Sequence, residues 1–158
     1  MKKHLRNTGY AAIFIGYSMI AGSFIAFAAL NGGDRIQDAP FFYWQRHFVD
    51  NVVTMATLPG IWLFFIGSFM RYLGNRRTKP LVLLILSLLI VINSQCFIMP
   101  VSHEASALAF QSKDLSDVSV ASIAAKGLED KLGAVNGLLL LVGYIALFFF
   151  CPAKRLSP

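Results

Sequence analysis

Apolar residues in this chain run together in four long blocks rather than alternating with polar ones, at about residues 8–30, 52–72, 81–99 and 132–151. Each block approaches the roughly 20 residues that carry a helix across ~30 Å of hydrocarbon. The pattern predicts four membrane-spanning helices, and the little chain left between them makes residues 1–158 a single membrane domain. The first gap opens on Asn31-Gly32-Gly33-Asp34, a turn signal. Helix is expected to resume near Pro40, because proline's missing N–H is unpaired in a first turn anyway. Pro59-Gly60, inside the second block, predicts a kink. The gap at 71–80 is short, so the second and third spans form a hairpin. The third span is expected to end at Met99-Pro100. Residues 101–131 then read as two short helices lying across the outer mouth. One is His103–Phe110, capped by Ser102. The other is capped by Ser116 or Asp117 and ends near Lys131, with Val120, Ile123, Ala124, Leu128 and Leu132 on one stripe. The fold class is all-α: an integral membrane four-helix antiparallel bundle with a short extracytoplasmic helical cap.

Charge orients the bundle. Lys2, Lys3, Arg6, Arg71, Arg76, Arg77, Lys79, Lys154 and Arg155 fall at the chain ends and in the middle connection, with no carboxylate among them. Asp34, Asp38, Asp50, Glu104, Asp114, Asp117, Glu129 and Asp130 all fall in the other two gaps. Lysine and arginine near span ends are retained on the cytoplasmic face, so both termini are expected inside a bacterial-type cytoplasmic (inner) membrane. A chain that is 56% hydrophobic and 14% charged is no ordinary soluble domain. Its net charge of +6 is spent at cytoplasmic span ends, where it meets headgroups and leaves no separate basic face for nucleic acid. The basic start, apolar run and Ala26-Phe27-Ala28 imitate a secretory signal, but the run is too long for one and is read as a retained first span. Cys96 and Cys151 are expected at opposite membrane faces, beyond the ~7 Å Cα limit of a disulfide.

Small residues mark packing faces. Gly9, Gly16 and Gly22 punctuate the first span, and Gly133-x-x-x-Gly137 opens the fourth. Such residues let helix backbones approach in lipid, and contact within the bundle is the expected use.

Chemistry is less clearly written. His47, Asn51 and Thr54 recur at i, i+4 and i+7, hence on one helical face. At a similar expected depth lie Asn93, Gln95 and Cys96, then His103 and Glu104, and on the fourth segment Glu129, Asp130, Lys131 and Asn136. One reading makes His47 and His103 ligands to haem or a transition metal, with Glu104 or Asp130 as a third ligand or orienting partner. His4 lies on the other side, so no second bis-histidine haem is available. The competing reading is a polar packing cluster of Trp44, Asn51, Thr54, Asn93, Gln95, Asp130 and Asn136. The aromatic run Phe41–Trp44 with Phe48 reads as an interface belt, with Tyr43 and Trp44 as anchors, or else as the lining for a flat hydrophobic ligand. Arg46 is expected to snorkel to the surface or meet Asp50. Glu129, Asp130, Asp114 and Asp117 are expected to be solvated or to cap helices. No G-x-S-x-G, Walker loop or C-x-x-C is present, and mid-span charges of the kind a proton-coupled transporter uses are missing.

Three short stretches carry a family resemblance: Gly22-Ser23-Phe24 closing the first span, Met99-Pro100-Val101-Ser102 leaving the third, and Asp130-Lys131-Leu132-Gly133-Ala134-Val135-Asn136-Gly137 opening the fourth. On these the chain resembles small four-span membrane proteins of the anthrone-oxygenase-like and related uncharacterised families. It departs from their usual pattern at Ser102 and at Lys131-Leu132. The resemblance implies a four-span fold and, for a catalytic member, turnover of a small hydrophobic substrate near Trp44, His47, Asn51 and Asn136. The residues themselves favour an accessory or assembly component that works with membrane-protein partner subunits through its outer face. A redox or metal protein and an oxygenase-like enzyme are the alternatives.

Overall fold

The computed structural model describes residues 2–30, 39–111 and 118–150. All of the regular structure among them is helical. Helix α1 (Lys2–Leu30) is the first rod. The second rod is α2 (Ala39–Val52), a π-helical stretch Val53–Thr57 and α3 (Leu58–Gly74). The third is α4 (Thr78–Ile92), a π-helical stretch Asn93–Ile98 and α5 (Met99–Gln111). The fourth is α6 (Val120–Phe150). Among the described residues three stretches are long and apolar enough to cross a membrane: Lys3–Leu30, Pro40–Gly74 and Thr78–Gln111. The fourth apolar block is carried by α6, 31 residues long.

Helix does resume at Ala39, just before Pro40, as expected. The prolines inside the rods behave differently from the expectation of a plain kink and a span end. Pro59 and Pro100 each lie two residues beyond a π-helical stretch. There the backbone has already changed register: the Leu58 N–H donates to the Val53 carbonyl and the Met99 N–H to the Ser94 carbonyl, each five residues back. A proline ring needs the carbonyl four residues earlier moved aside and offers no N–H of its own. A π turn supplies that displacement locally, so the helix continues where the sequence suggests a stop.

The expected cap is therefore not a separate layer. Ser102 sits inside α5 rather than at a helix start, and α5 is the direct continuation of the third span. No break separates the expected second cap helix from the fourth span, because Gly133 alone does not stop a helix flanked by Leu132 and Ala134. The start of α6 is capped by Ser119, whose Oγ accepts the Ser122 N–H at 3.1 Å. Ser116 and Asp117 lie outside the described residues. At ~1.5 Å per residue the second and third rods are each about 50 Å long, well beyond a hydrocarbon core. Helices α2, α5 and the first turns of α6 thus extend the bundle itself past the end of α1.

The tightest seam joins α1 to α3. A Cβ at Gly16 would stand 2.5 Å from the Gly60 carbonyl oxygen and 2.6 Å from the Phe64 nitrogen. One at Gly67 would stand 2.7 Å from both the Gly9 carbonyl oxygen and the Ile13 nitrogen. Gly9 opposes Gly67 and Gly16 opposes Gly60, so residue numbers rise along one helix as they fall along the other. Glycine on both helices permits this close backbone contact, the packing mode that holds helices together where the surroundings are as apolar as the core. Ile13, Ile20, Ile61, Phe64, Ile90, Val91 and Leu140 pack beside it. At the end of the seam, the Arg71 guanidinium lies over the Tyr10 ring, 3.6 Å from its centre. The Gly133-x-x-x-Gly137 face plays no such part: Gly133 has open space where a Cβ would be, and Gly137 faces only the Phe24 ring at 3.5 Å.

Outside this core Phe14, Ile25, Met55 and Leu138 are among many exposed large apolar side chains, an exterior that water does not tolerate over such an extent. Replacing Gly16 with Ala is expected to destabilise the protein by about 1–3 kcal/mol through overpacking against backbone that cannot retreat. Gly22→Ala, with open space around it, should be neutral or slightly stabilising. Thermal unfolding of the two variants in mild detergent checks the order; equal melting temperatures would remove the seam from its central place.

Candidate functional site

The functional geometry gathers where α1 ends and the other three rods continue. Arg46, on α2, is expected from sequence at the surface; it is instead 3% exposed. Its guanidinium forms a fork with Glu129 of α6: Nη1 donates to Oε2 and Nη2 to Oε1. Nη2 also reaches the Ser102 hydroxyl at 2.7 Å and carbonyl at 3.2 Å, and Asp50 Oδ1 at 3.2 Å. Nε donates to the Ser106 Oγ at 2.8 Å, and Ser106 in turn donates to the Asp50 carboxylate. The expected Arg46–Asp50 contact at i, i+4 is present, but as one arm of a clamp joining α2, α5 and α6. A planar five-donor head suits this task, since it can hold a carboxylate with two parallel bonds and still reach sideways.

Each partner is placed by helical periodicity. Ser102 and Ser106 are one turn apart on α5, and Ala105 and Ala109 are fully buried beside them, which lets α5 approach closely. On α6, Ser122, Lys126 and Glu129 share the buried stripe. Lys126 donates to Asp130 at 2.6 Å. Glu129, expected to be solvated, is buried against Arg46, whereas Asp130 is exposed and pairs with Lys126.

A second polar layer lies at the third rod's π-helical stretch. Asn93 Nδ2 donates to the Leu132 carbonyl at 3.1 Å and to Asn136 Oδ1 at 2.9 Å. Asn136 Nδ2 donates to the Ser94 Oγ at 2.7 Å. Sequence reasoning placed Asn93 and Asn136 at one depth, and the structure brings them into contact.

Between these layers and the end of α1 lies a cavity of about 330 Å³. Its apolar wall includes Ile20, Phe24, Phe27, Val53, Ile61 and Met99. Its polar groups come from Gln45, Arg46, Ser94, Lys126, Glu129 and Asn136, with Asp130 at the edge. A mostly apolar chamber with a few convergent polar groups is the usual form of a small-molecule site. Gln45, missed by the sequence reading, is 4% exposed, and its Nε2 donates to the Leu30 carbonyl at 2.9 Å.

The remaining expected site residues lie elsewhere. His47, Asn51 and Thr54 do share a face of the second rod, but it is the exposed one. The Thr54 hydroxyl is spent on the Asp50 carbonyl of its own helix, at 2.8 Å. The His47 ring rests on Phe110, with centroids 4.8 Å apart. His103 stands seven residues before Phe110, about 10 Å along α5 from that contact, and is exposed, as are Glu104, Gln95 and Cys96. Cys151 lies outside the described residues. Among the described residues no group of three or more His, Cys, Asp or Glu is placed to hold a metal ion. Trp44 is exposed and stacks on Phe48, with Phe41 on its other side, away from the cavity wall. Tyr43 turns toward Phe110, and its hydroxyl is buried without a hydrogen-bond partner among the described residues.

Glu129→Ala would strand a buried guanidinium charge and is expected to cost about 3–5 kcal/mol. Asp130→Ala, in an exposed pair, should cost less than about 1 kcal/mol. Chemical or thermal denaturation of the two variants tests the difference, and similar losses would mean that Arg46 does not depend on Glu129. No protein family, curated protein or solved structure matches the chain.

Proposed function

We propose that this chain is a four-span inner-membrane protein, with both termini cytoplasmic, that binds a small apolar molecule in the cavity between α1, the second and third rods, and α6. The observation that carries the reading is the cavity itself: largely apolar, about 330 Å³, with charged and amide groups gathered along one part of its wall. Support for the membrane setting comes from the three long apolar helices, the apolar exterior and the excess of Lys and Arg over carboxylates at the chain ends and the middle connection. The charge partition puts the chamber toward the extracytoplasmic side, within reach of molecules dissolved in the outer leaflet. This reading is preferred to a cofactor held by His47 and His103 because both imidazoles are exposed and neither lines the chamber. It is preferred to an accessory or assembly role because it assigns a chemistry to particular residues.

Gly133 gives the means to test it. It lines the cavity, and a side chain there would enter open space without striking a helix. Purified protein in nanodiscs is expected to bind the fluorescent apolar probe N-phenyl-1-naphthylamine saturably above empty nanodiscs. Gly133→Leu should lose that saturable component by about tenfold or more in affinity, as expected when the occupied volume is filled. Gly22→Leu, facing open space outside the cavity, should keep it. Retention of the full signal by Gly133→Leu would reject the chamber as the binding site.

A further inference from the structure

The links between α1 and α6 end partway along the pair. Tyr17 meets Leu140, and nearer the end of α1 the Phe24 ring lies 3.5 Å from where a Gly137 Cβ would stand. Residue numbers rise along α1 as they fall along α6, so one turn further on Ala28 comes opposite Gly133. A Cβ on Gly133 would meet nothing within 4 Å. Ala28 and Ala134 both line the cavity, and both are exposed. The space between the helices is therefore filled where α1 offers a phenyl ring and open where it offers a methyl group. This slot leads from the cavity to an apolar exterior, on which Ile25 is 72% and Leu138 62% exposed. Deeper polar groups are buried and spent on the protein: Arg46 on Glu129 and the α5 serines, Asn136 on Ser94. Among the described charged and amide groups of the wall, Asp130 alone is exposed, three residues before Gly133.

We propose that the cavity opens sideways to the membrane between α1 and α6, and that its guest is an unbranched alkyl chain entering by this slot, with its polar head left at the rim beside Asp130. This rests on the reading of the cavity as a binding site. The slot is continuous with the apolar exterior, so a chain passes from lipid to cavity without crossing water. Its width is what one phenyl ring spans a turn below, which suits a polymethylene chain or a flat ring and refuses a rigid cage. A buried head would find its hydrogen-bonding partners already engaged, whereas at the rim it keeps its water.

Ala28→Phe repeats at Gly133 the seal that Phe24 makes at Gly137, and it tests the route. Stopped-flow binding of N-phenyl-1-naphthylamine to the full chain in nanodiscs is expected to slow about tenfold in both association and dissociation, with Kd held within about threefold. Ala29→Phe, exposed but off the cavity wall, should leave both rates unchanged. Ala134→Phe replaces Ala28→Phe if that variant does not fold. Displacement of the same probe by 1-undecanol and 1-adamantanemethanol, alcohols of equal carbon count, tests the guest. With each corrected for its partitioning into empty nanodiscs, the linear alcohol is expected to compete about tenfold better. Unaltered rates in the sealed variant, or equal competition by the cage alcohol, overturn the inference, while loss of probe binding in Gly133→Leu keeps the cavity reading. Probe binding insensitive to Gly133→Leu overturns both.

Discussion

The end of this molecule beyond α1 depends on one buried guanidinium. Where apolar helices extend past the end of a fourth, non-directional apolar contacts do little to fix their relative rotation. Arg46 resolves this by charge. Taking it out of water is expensive, and the expense is offset only where carboxylate and hydroxyl acceptors stand in a particular geometry around it. Glu129 of α6, Asp50 of α2 and the two serines of α5 provide that geometry. Any slip of one helix against the others would leave a buried ion with missing partners, so the clamp sets register as much as it adds stability. The serine spacing follows from this: a single helical turn places two small hydroxyls under the guanidinium without pushing α5 away.

The π-helical stretches act at the same level. Each inserts an extra residue's worth of rotation before a proline, so the face of the rod turned toward its neighbours differs on either side. On the second rod this lets Phe42, Gln45 and Arg46 face inward above the turn while Gly60, Phe64 and Gly67 face inward below it. On the third, Ser94 falls within the turn itself and Ser102 beyond it, and both are buried. Without the change of register, the glycine seam and the arginine clamp would compete for one helical face.

The large-scale plan was legible in the sequence for simple reasons. Apolar blocks of about 20 residues predict long helices, and all the regular structure of the described residues is helical, with three stretches long and apolar enough to cross a membrane. The start of helix near Pro40 and the juxtaposition of Asn93 with Asn136 were legible too, since each rests on local chemistry or on shared depth. The site was not. His47, Asn51 and Thr54 form a regular polar stripe, and such a stripe has two meanings, a cavity wall or a face turned outward; only packing decides, and here it chose the second. Arg46 was hidden by its own type, because a lone arginine near a span end usually snorkels. A joint signal did exist: Arg46 with Asp50 on one segment, Ser102 with Ser106 on another, and Lys126 with Glu129 and Asp130 on a third. Each group is spaced by about one turn, and all lie on the side where acidic residues collect. Gln45 offered no signal, since a lone glutamine near a span end does not say that it will turn inward to meet the Leu30 carbonyl.

The cavity follows from how differently the helices are held. Helix α1 is fastened to α3 by backbone-to-backbone contact at two glycine pairs, leaving it no freedom to lean elsewhere. Helix α6 is fastened to α5 by small residues and to Arg46 by charge. Between α1 and α6 the recorded links are long side chains: the Tyr17 hydroxyl donates to the Leu140 carbonyl at 3.5 Å, and the Phe24 ring rests against Gly137. Two strong and separate attachments thus hold the pair apart, and the space cannot close by collapse without breaking one of them. The glycine seam on one side and the buried ion on the other therefore bound the space between α1 and α6, and its size follows from where those two attachments lie.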